Sequence, residues 1–232
     1  MAWQVLVMGV LGGLCYLDRT AAFQFMLHRP LVAASLAGAV FGDFAAGAKV
    51  GAVLELLYIA RLPVGASIPP DDTGAAFFGG AAAATGASSI GLDPGSFCAI
   101  LLLSVACAEV GRFVDRSVRR INGRIAHLVL ESVDRGDTLA VENGLLAGLT
   151  LFGASGMVLA ALFSGLGAAT SVHFLPLFGP ESREQFSALL PALPLLGAAS
   201  VFSCSRTERT SPAFYLTMAG VFAATVVFRW IA

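Results

Sequence analysis

The sequence predicts an all-α polytopic integral membrane protein with broken and re-entrant, Gly/Ala-rich helices. Three observations carry this. Of 232 residues, 57% are hydrophobic and only 12% charged, whereas a soluble domain carries about 25% charged residues. Long apolar stretches contain many of the 26 glycines, a composition suited to close helix packing and to interrupted helices buried in protein. Between those stretches lies one basic block, Gly111 to Asp137, which holds six of the fourteen Lys and Arg residues and marks a cytoplasmic side. The length accommodates roughly six to eight crossing or partly crossing segments of about 20 residues each. We read one membrane domain over 1–232: a polar-residue-rich membrane region at 1–108, a cytoplasmic Arg-rich connection at 109–143 and a C-terminal transmembrane region at 144–232.

Ala2 to Leu17 is the first apolar segment, ending at Asp18-Arg19. It lacks the basic start of a cleavable signal, so an uncleaved first helix is expected. Thr20 to Arg29 is an amphipathic connection, and Pro30 suits the first turn of the next helix, where its missing N–H costs nothing. Leu31 to Ile59 is apolar but interrupted by Asp43, Lys49 and Glu55, and its glycines at 38, 42, 47 and 51 permit two short helices to approach closely. Arg61 to Asp72 is a Pro-containing junction. Thr73 to Ser89 is almost wholly Ala, Gly and Phe, which gains little by facing lipid and is expected to pack inside. Asp93-Pro94-Gly95 signals a turn before the apolar run Phe97 to Ala108.

Across Arg112 to Asp137 the apolar residues Phe113, Val114, Val118, Ile121, Ile125, Leu128, Val129 and Val133 recur at helical spacing. An amphipathic helix at the cytoplasmic surface is expected there, with Arg on its other face. Acidic residues dilute this block, so no nucleic-acid role is assigned. Gly144 to Gly167, Ala188 to Cys204 and Pro212 to Ile231 read as further spans, with a loop over Ser171 to Gln185. Cys15, Cys98, Cys107 and Cys204 are widely separated and read as small buried hydrophobes. No metal site, cofactor, hydrolase triad or phosphate-binding Gly-rich loop is expected.

The polar residues within the apolar stretches need a reason, because an unpaired carboxylate in hydrocarbon is costly. Asp43, Glu55 and Asp71-Asp72 fall in one third of the chain beside His28, Lys49 and Arg61. Each has two readings. Asp43 and Asp71-Asp72 suit helix caps; Glu55, deeper in an apolar run, suits an ion pair or a ligand contact; Lys49 and Arg61 suit snorkelling or local pairing. As ligand groups, Gln24, Asp43, Glu55 and Asp72 match sugar hydroxyls, each of which both donates and accepts. Gly65, Pro69 and Pro70 suit a helix break that exposes backbone groups beside a ligand.

These residues sit in an ordered frame: Leu17-Asp18-Arg19-Thr20, His28-Arg29-Pro30-Leu31-Val32, Gly38-Ala39-Val40-Phe41-Gly42-Asp43, Gly51-Ala52-Val53-Leu54-Glu55-Leu56, Pro63-Val64-Gly65-Ala66 and Pro69-Pro70-Asp71. The series resembles the IIC permease subunit of the mannose/fructose/sorbose family of the bacterial phosphoenolpyruvate-dependent sugar phosphotransferase system. The resemblance is specific over residues 9 to 90; from 95 to 232 it is one of hydropathy and layout. It implies a multi-pass protein of the bacterial cytoplasmic (inner) membrane that works with a IID membrane subunit and with IIA and IIB phosphocarrier proteins, and forms a homo-oligomer of IIC–IID pairs. It implies binding and translocation of a hexose-like sugar by an elevator-like movement, with the phosphohistidine carried by another protein. Carried over by resemblance, Gln24, Asp43, Glu55 and Asp71 are the site positions, Glu55 foremost. The chain departs from the family pattern at Leu57-Tyr58-Ile59-Ala60-Arg61, where a tryptophan-containing stretch is usual. A non-transporting scaffold or sensor that recruits phosphotransferase proteins is the second reading, and an unrelated small-solute channel or permease the third.

Overall fold

The computed structural model describes residues 1–22, 24–61, 67–89 and 91–204, and the described residues are helical throughout their regular structure. Eight α-helices follow in order: α1 (Ala2–Thr20), α2 (Pro30–Phe41), α3 (Phe44–Tyr58), α4 (Asp72–Ser89), α5 (Pro94–Asp134), α6 (Leu139–Ala169), α7 (Pro180–Leu189) and α8 (Ala192–Cys204).

At about 1.5 Å per residue, α2 and α3 are roughly 18 and 22 Å long, too short to cross a hydrocarbon core of about 30 Å singly. They form a re-entrant hairpin instead. Pro30 occupies the first turn of α2, and Gly42 ends it with φ 106°, a left-handed conformation that favours glycine. Asp43 then caps α3 by accepting from the Ala46 N–H at 2.9 Å. The two helices touch along glycines: a Cβ on Gly38 would lie 2.9 Å from the Gly47 Cα, and one on Gly51 would lie 2.8 Å from the Leu31 Cα. Contact this close is the reason these positions carry no side chain.

The expectation for Thr73 to Ser89 holds. Thirteen of the 18 residues of α4 are buried, and the helix packs against α2, α3, α5 and α6. With Ala and Gly along most of its length it fits between four neighbours at short interaxial distance. On the other side of the core, α1 lies along α6.

α5 and α6 are long and apolar enough, by length and composition, to cross a membrane. The basic block does not make a separate helix: it continues α5 from Pro94 to Asp134 without a break, a rod of about 60 Å. The amphipathic periodicity is that of a single helix whose first half buries one face in the core and whose second half does not. α6 returns alongside, and the two make an arm in which no residue from 119 to 134 or from 139 to 152 is buried. A groove of about 540 Å³ runs between them, lined by Ile125, Val129, Gly144, Leu145 and Phe152 among others. The expected loop over Ser171 to Gln185 is also more ordered than its prolines suggested: a π-helical turn (Thr170–Phe174), a 3₁₀ turn (Leu175–Leu177) and most of α7 occupy it. Pro180 at the first position of α7 starts a helix rather than preventing one. The expected span Ala188 to Cys204 is divided between the end of α7 and α8; Pro212 to Ile231 lies outside the described residues.

Candidate functional site: the polar base of the hairpin

At one end of the core, the C-termini of α1 and α3, the N-termini of α2 and α4, and the middle of α5 converge. Asp71 stands at the centre with 1% of its side chain exposed. Its Oδ1 accepts from Arg19 Nη1 at 2.7 Å and from the Gly74 N–H at 3.2 Å, and its Oδ2 accepts from the Tyr16 hydroxyl. The Asp71 N–H in turn donates to the Ala108 carbonyl on α5 at 2.9 Å. Asp71 therefore both caps α4 and neutralises a largely buried arginine, which makes a buried carboxylate tolerable. The cluster also needs Gly111: a Cβ there would lie 2.5 Å from the Asp71 Cβ. Arg19 extends to the Pro70 carbonyl at 3.2 Å and to Asp72 Oδ1 at 3.3 Å.

A second carboxylate, Asp18, is equally buried. Its Oδ2 accepts from the Leu27 N–H at 2.8 Å and contacts His28 Nδ1 at 2.9 Å, while Oδ1 accepts from the Phe25 N–H. It thus folds the α1–α2 connection, in which Gln24 and Met26 both adopt positive φ. The His28 carbonyl accepts from the Thr73 hydroxyl at 2.9 Å, joining this connection to α4. Glu55, on α3, pairs with Arg29 and accepts from the Leu31 N–H at 3.2 Å. A group near the end of α3 so satisfies an orphan amide at the start of α2, and the open end of the hairpin is pinned shut.

The expected site residues do not all meet. Asp71, Asp72 and Glu55 belong to this base, with Pro70 contributing its carbonyl. Asp43 caps the opposite end of the hairpin, the length of α2 away. Gln24 is exposed on the neighbouring connection, and Gly65 lies outside the described residues. Pro69 and Pro70, with Ala60, Arg61, Ser67, Ile68 and Arg112, line a polar cavity of about 280 Å³ beside the cluster. Glu55 and Asp72 keep 17% and 19% of their side chains exposed, so their remaining lone pairs are reachable in a way that those of Asp71 are not. Sequence reasoning missed Tyr16, Asp18, Arg19 and Thr73 as site members. The signal was the Asp18-Arg19 pair closing an apolar helix, but its partner Asp71 lies 52 residues on.

An all-helical bundle around a short-helix hairpin, with two helices long and apolar enough to cross a membrane, is the fold of a helical membrane protein. The chain belongs to the family whose model is described as the PTS system sorbose-specific IIC component, matched over residues 2–230. Among curated proteins it is similar to the mannose-specific EIIC component of Escherichia coli K12, 29% identical over 119 residues, which is 51% of this chain and 42% of that protein. It is similar to the sorbose-specific EIIC component of Klebsiella pneumoniae, 33% identical over 41% of this chain and 34% of that protein. The third is the fructose permease IIC component of Bacillus subtilis, 30% identical over 50% and 40% respectively. These matches span less than half the length of the curated relatives.

Two solved structures share the fold along the whole chain. One is described as a membrane protein, with TM-score 0.75, 21% identity and coverage of 100% of this chain and 96% of that one. The other is a chain of the mannose transporter ManYZ in complex with microcin E492, with TM-score 0.61, 22% identity and coverage of 100% and 95%.

Proposed function

We propose that this chain is the sugar-binding and translocating IIC subunit of a phosphoenolpyruvate-dependent sugar phosphotransferase system in the bacterial cytoplasmic membrane. It works there with a IID membrane subunit and with a phosphorylated IIB recharged through IIA, as a homo-oligomer of IIC–IID pairs. The observation that carries this reading, beyond family membership, is the re-entrant hairpin whose base gathers Glu55, Asp71 and Asp72 inside protein. Carboxylates held in a membrane protein's interior by arginines can exchange those partners for hydroxyls without being stranded in a medium that cannot solvate them. Glu55 and Asp72 are the hydroxyl acceptors; Asp71 holds the base together, and Asp43 and the backbone at Pro69-Pro70 set where the helices break. A hexose-like sugar enters from outside, the core moves against the rest of the protein, and phosphorylation removes the sugar inside. The apolar face of the α5–α6 arm is open surface for the IID subunit.

One observation favours the scaffold reading. Asp71, Arg19 and Tyr16 already satisfy one another, so the base closes without any sugar.

Phosphoenolpyruvate-dependent uptake of labelled hexoses into vesicles containing this chain with its IID subunit separates the two. Uptake supports transport; IIB binding without uptake establishes the scaffold. Glu55→Gln keeps an acceptor for the Leu31 N–H but loses the charge, so sugar affinity falls about tenfold, the scale of a charged hydrogen bond, while membrane assembly persists. Unchanged affinity removes Glu55 from the site.

A further inference from the structure

The cavity beside the base differs in chemistry from the carboxylate cluster it adjoins. Its lining carries two arginines, Arg61 and Arg112, and the Ser67 hydroxyl, with Pro69 and Pro70 closing one wall. Arg61 follows the end of α3, anchored by its N–H to the Tyr58 carbonyl at 2.8 Å, and its guanidinium makes no ion pair with a described residue. Arg112 donates through Nη2 to Glu109 Oε1 at 2.7 Å, which leaves its Nε buried without an acceptor. The carboxylates nearest the base are already engaged: Asp71 and Asp72 face Arg19, and Glu55 faces Arg29. The cavity is therefore a donor-rich space, lined by two guanidinium side chains and a serine.

We infer that Arg61, Arg112 and Ser67 form a binding site for the phosphoryl group of a phosphorylated hexose, at the inner mouth of the path; this deepens the permease reading and rests on it. The planar guanidinium donors match a phosphate monoester dianion, and a serine hydroxyl adds a further donor. The volume of about 280 Å³ corresponds to about nine water molecules, room for a phosphoryl group and its remaining waters. Its position supports the same class of ligand. Arg112 lies where the apolar half of α5 gives way to the Arg-rich half, the boundary that positive-inside logic sets at the cytoplasmic surface. A sugar that meets phosphohistidine there gains two negative charges. Glu55 and Asp72 then repel it while Arg61 and Arg112 attract it, so phosphorylation itself shifts the sugar from the carboxylates to the arginines and away from the outward path.

The test is calorimetric titration of the full-length protein, purified with its IID subunit in an uncharged, phosphate-free detergent, using mannose 6-phosphate, free mannose, inorganic phosphate and a soluble short-chain phosphatidic acid. Mannose 6-phosphate binds, inorganic phosphate competes with it, and Arg61→Gln weakens the phosphosugar about tenfold, the scale of one charge-assisted contact. Arg112→Gln does the same, and Arg61→Lys restores part of the affinity because charge without the planar fork is retained. Arg61 lies beyond the end of α3 at an exposed position, so its variants also report if Arg112→Gln does not fold. No phosphosugar binding in the millimolar range, equal binding by Arg61→Gln, or preference for phosphatidic acid each overturns the proposal; the last assigns the arginines to lipid headgroups. The permease reading fails separately, through absent free-mannose binding and absent uptake, with Arg61-dependent phosphosugar binding intact.

Discussion

The base of the hairpin and the α5–α6 arm spend their charged residues in opposite ways. At the base, Arg19 pairs with Asp71 and Arg29 with Glu55 across segments distant in sequence, and Asp18 and Asp71 are each 1% exposed. On the arm, the pair Arg135–Glu131 joins residues one helical turn apart on exposed surface. The first kind of pair fixes tertiary structure, because removing one partner strands the other in a low-dielectric interior. The second kind adds little, since water and salt already screen both groups. Arginine counts alone would rank the arm as the more electrostatic region; partner distance and burial reverse that order.

The largest effect that would break this contrast is at Asp71. Asp71→Ala leaves Arg19 and the Tyr16 hydroxyl without their partner, and a loss of about 3–5 kcal/mol is expected, read as a collapse of the thermal transition in detergent. The double variant Arg19→Met with Asp71→Leu recovers part of that loss, because no fully buried charge is left behind; Asp72, which also faced Arg19, keeps 19% of its side chain exposed. If Asp71→Ala unfolds at the parent temperature, the base is no more structural than the arm.

Next is the hairpin seam. Gly47→Leu forces a side chain into the space where a Cβ would already lie 2.8 Å from the Gly38 Cα, and a cost of about 1–3 kcal/mol follows from overpacking. An unchanged thermal transition for Gly47→Leu in detergent would mean that the two helices do not pack this tightly.

A smaller effect is expected at Asp93, which caps α5 at the end away from the arm. It accepts from Ser96 N–H and hydroxyl at 3.1 and 2.6 Å and faces Arg183 on α7 at 3.4 Å. Burial pushes its carboxyl up, but the Ser96 hydrogen bonds and Arg183 outweigh that and hold it below the ordinary carboxylate value of 3.8. Its folded pKa is depressed, so its contribution is complete above that ordinary value and is lost as pH falls through the lower folded one. Asp93→Ala should cost about 1 kcal/mol near neutral pH, and the gap from the parent should narrow below pH 3.8; a gap that widens on acidification reverses the sign of the assignment.

The smallest effect belongs to the arm. Arg119→Gln removes a pair with the half-buried Asp115 at 3.0 Å and a guanidinium 5.9 Å from the Phe152 ring centre, and less than about 1 kcal/mol is expected. A loss of several kcal/mol at Arg119 would erase the distinction between the two regions.

The local features of the fold were legible in the order of residues. Pro30 announces a helix start, Asp43 a helix cap, and the Ala/Gly run of α4 a helix enclosed by others, whereas Asp93-Pro94-Gly95 reads as a turn although Asp93 caps α5 and Pro94 begins it. Each rests on interactions within a few residues of chain or on composition. The continuity of α5 through the basic block was less legible, because amphipathic spacing looks the same in a surface helix and in an exposed extension of a buried one. The family frame drew attention to Asp71 and Glu55, yet it assigned them to a ligand before it could show what they touch.

What the sequence determined by itself was the membrane class, the helical content and the family, since hydropathy, spacing and an ordered motif series are properties of the chain read locally. What only the tertiary structure decided was partnership: Arg19 with Asp71, Arg29 with Glu55, Asp18 with the amides before Pro30, and two arginines 51 residues apart facing one cavity. A charge in a sequence has many candidate partners at similar distances along the chain. The choice among them is made by which pairing lets the small residues of α2, α3 and α4 close up around it, and that packing is a property of the whole bundle.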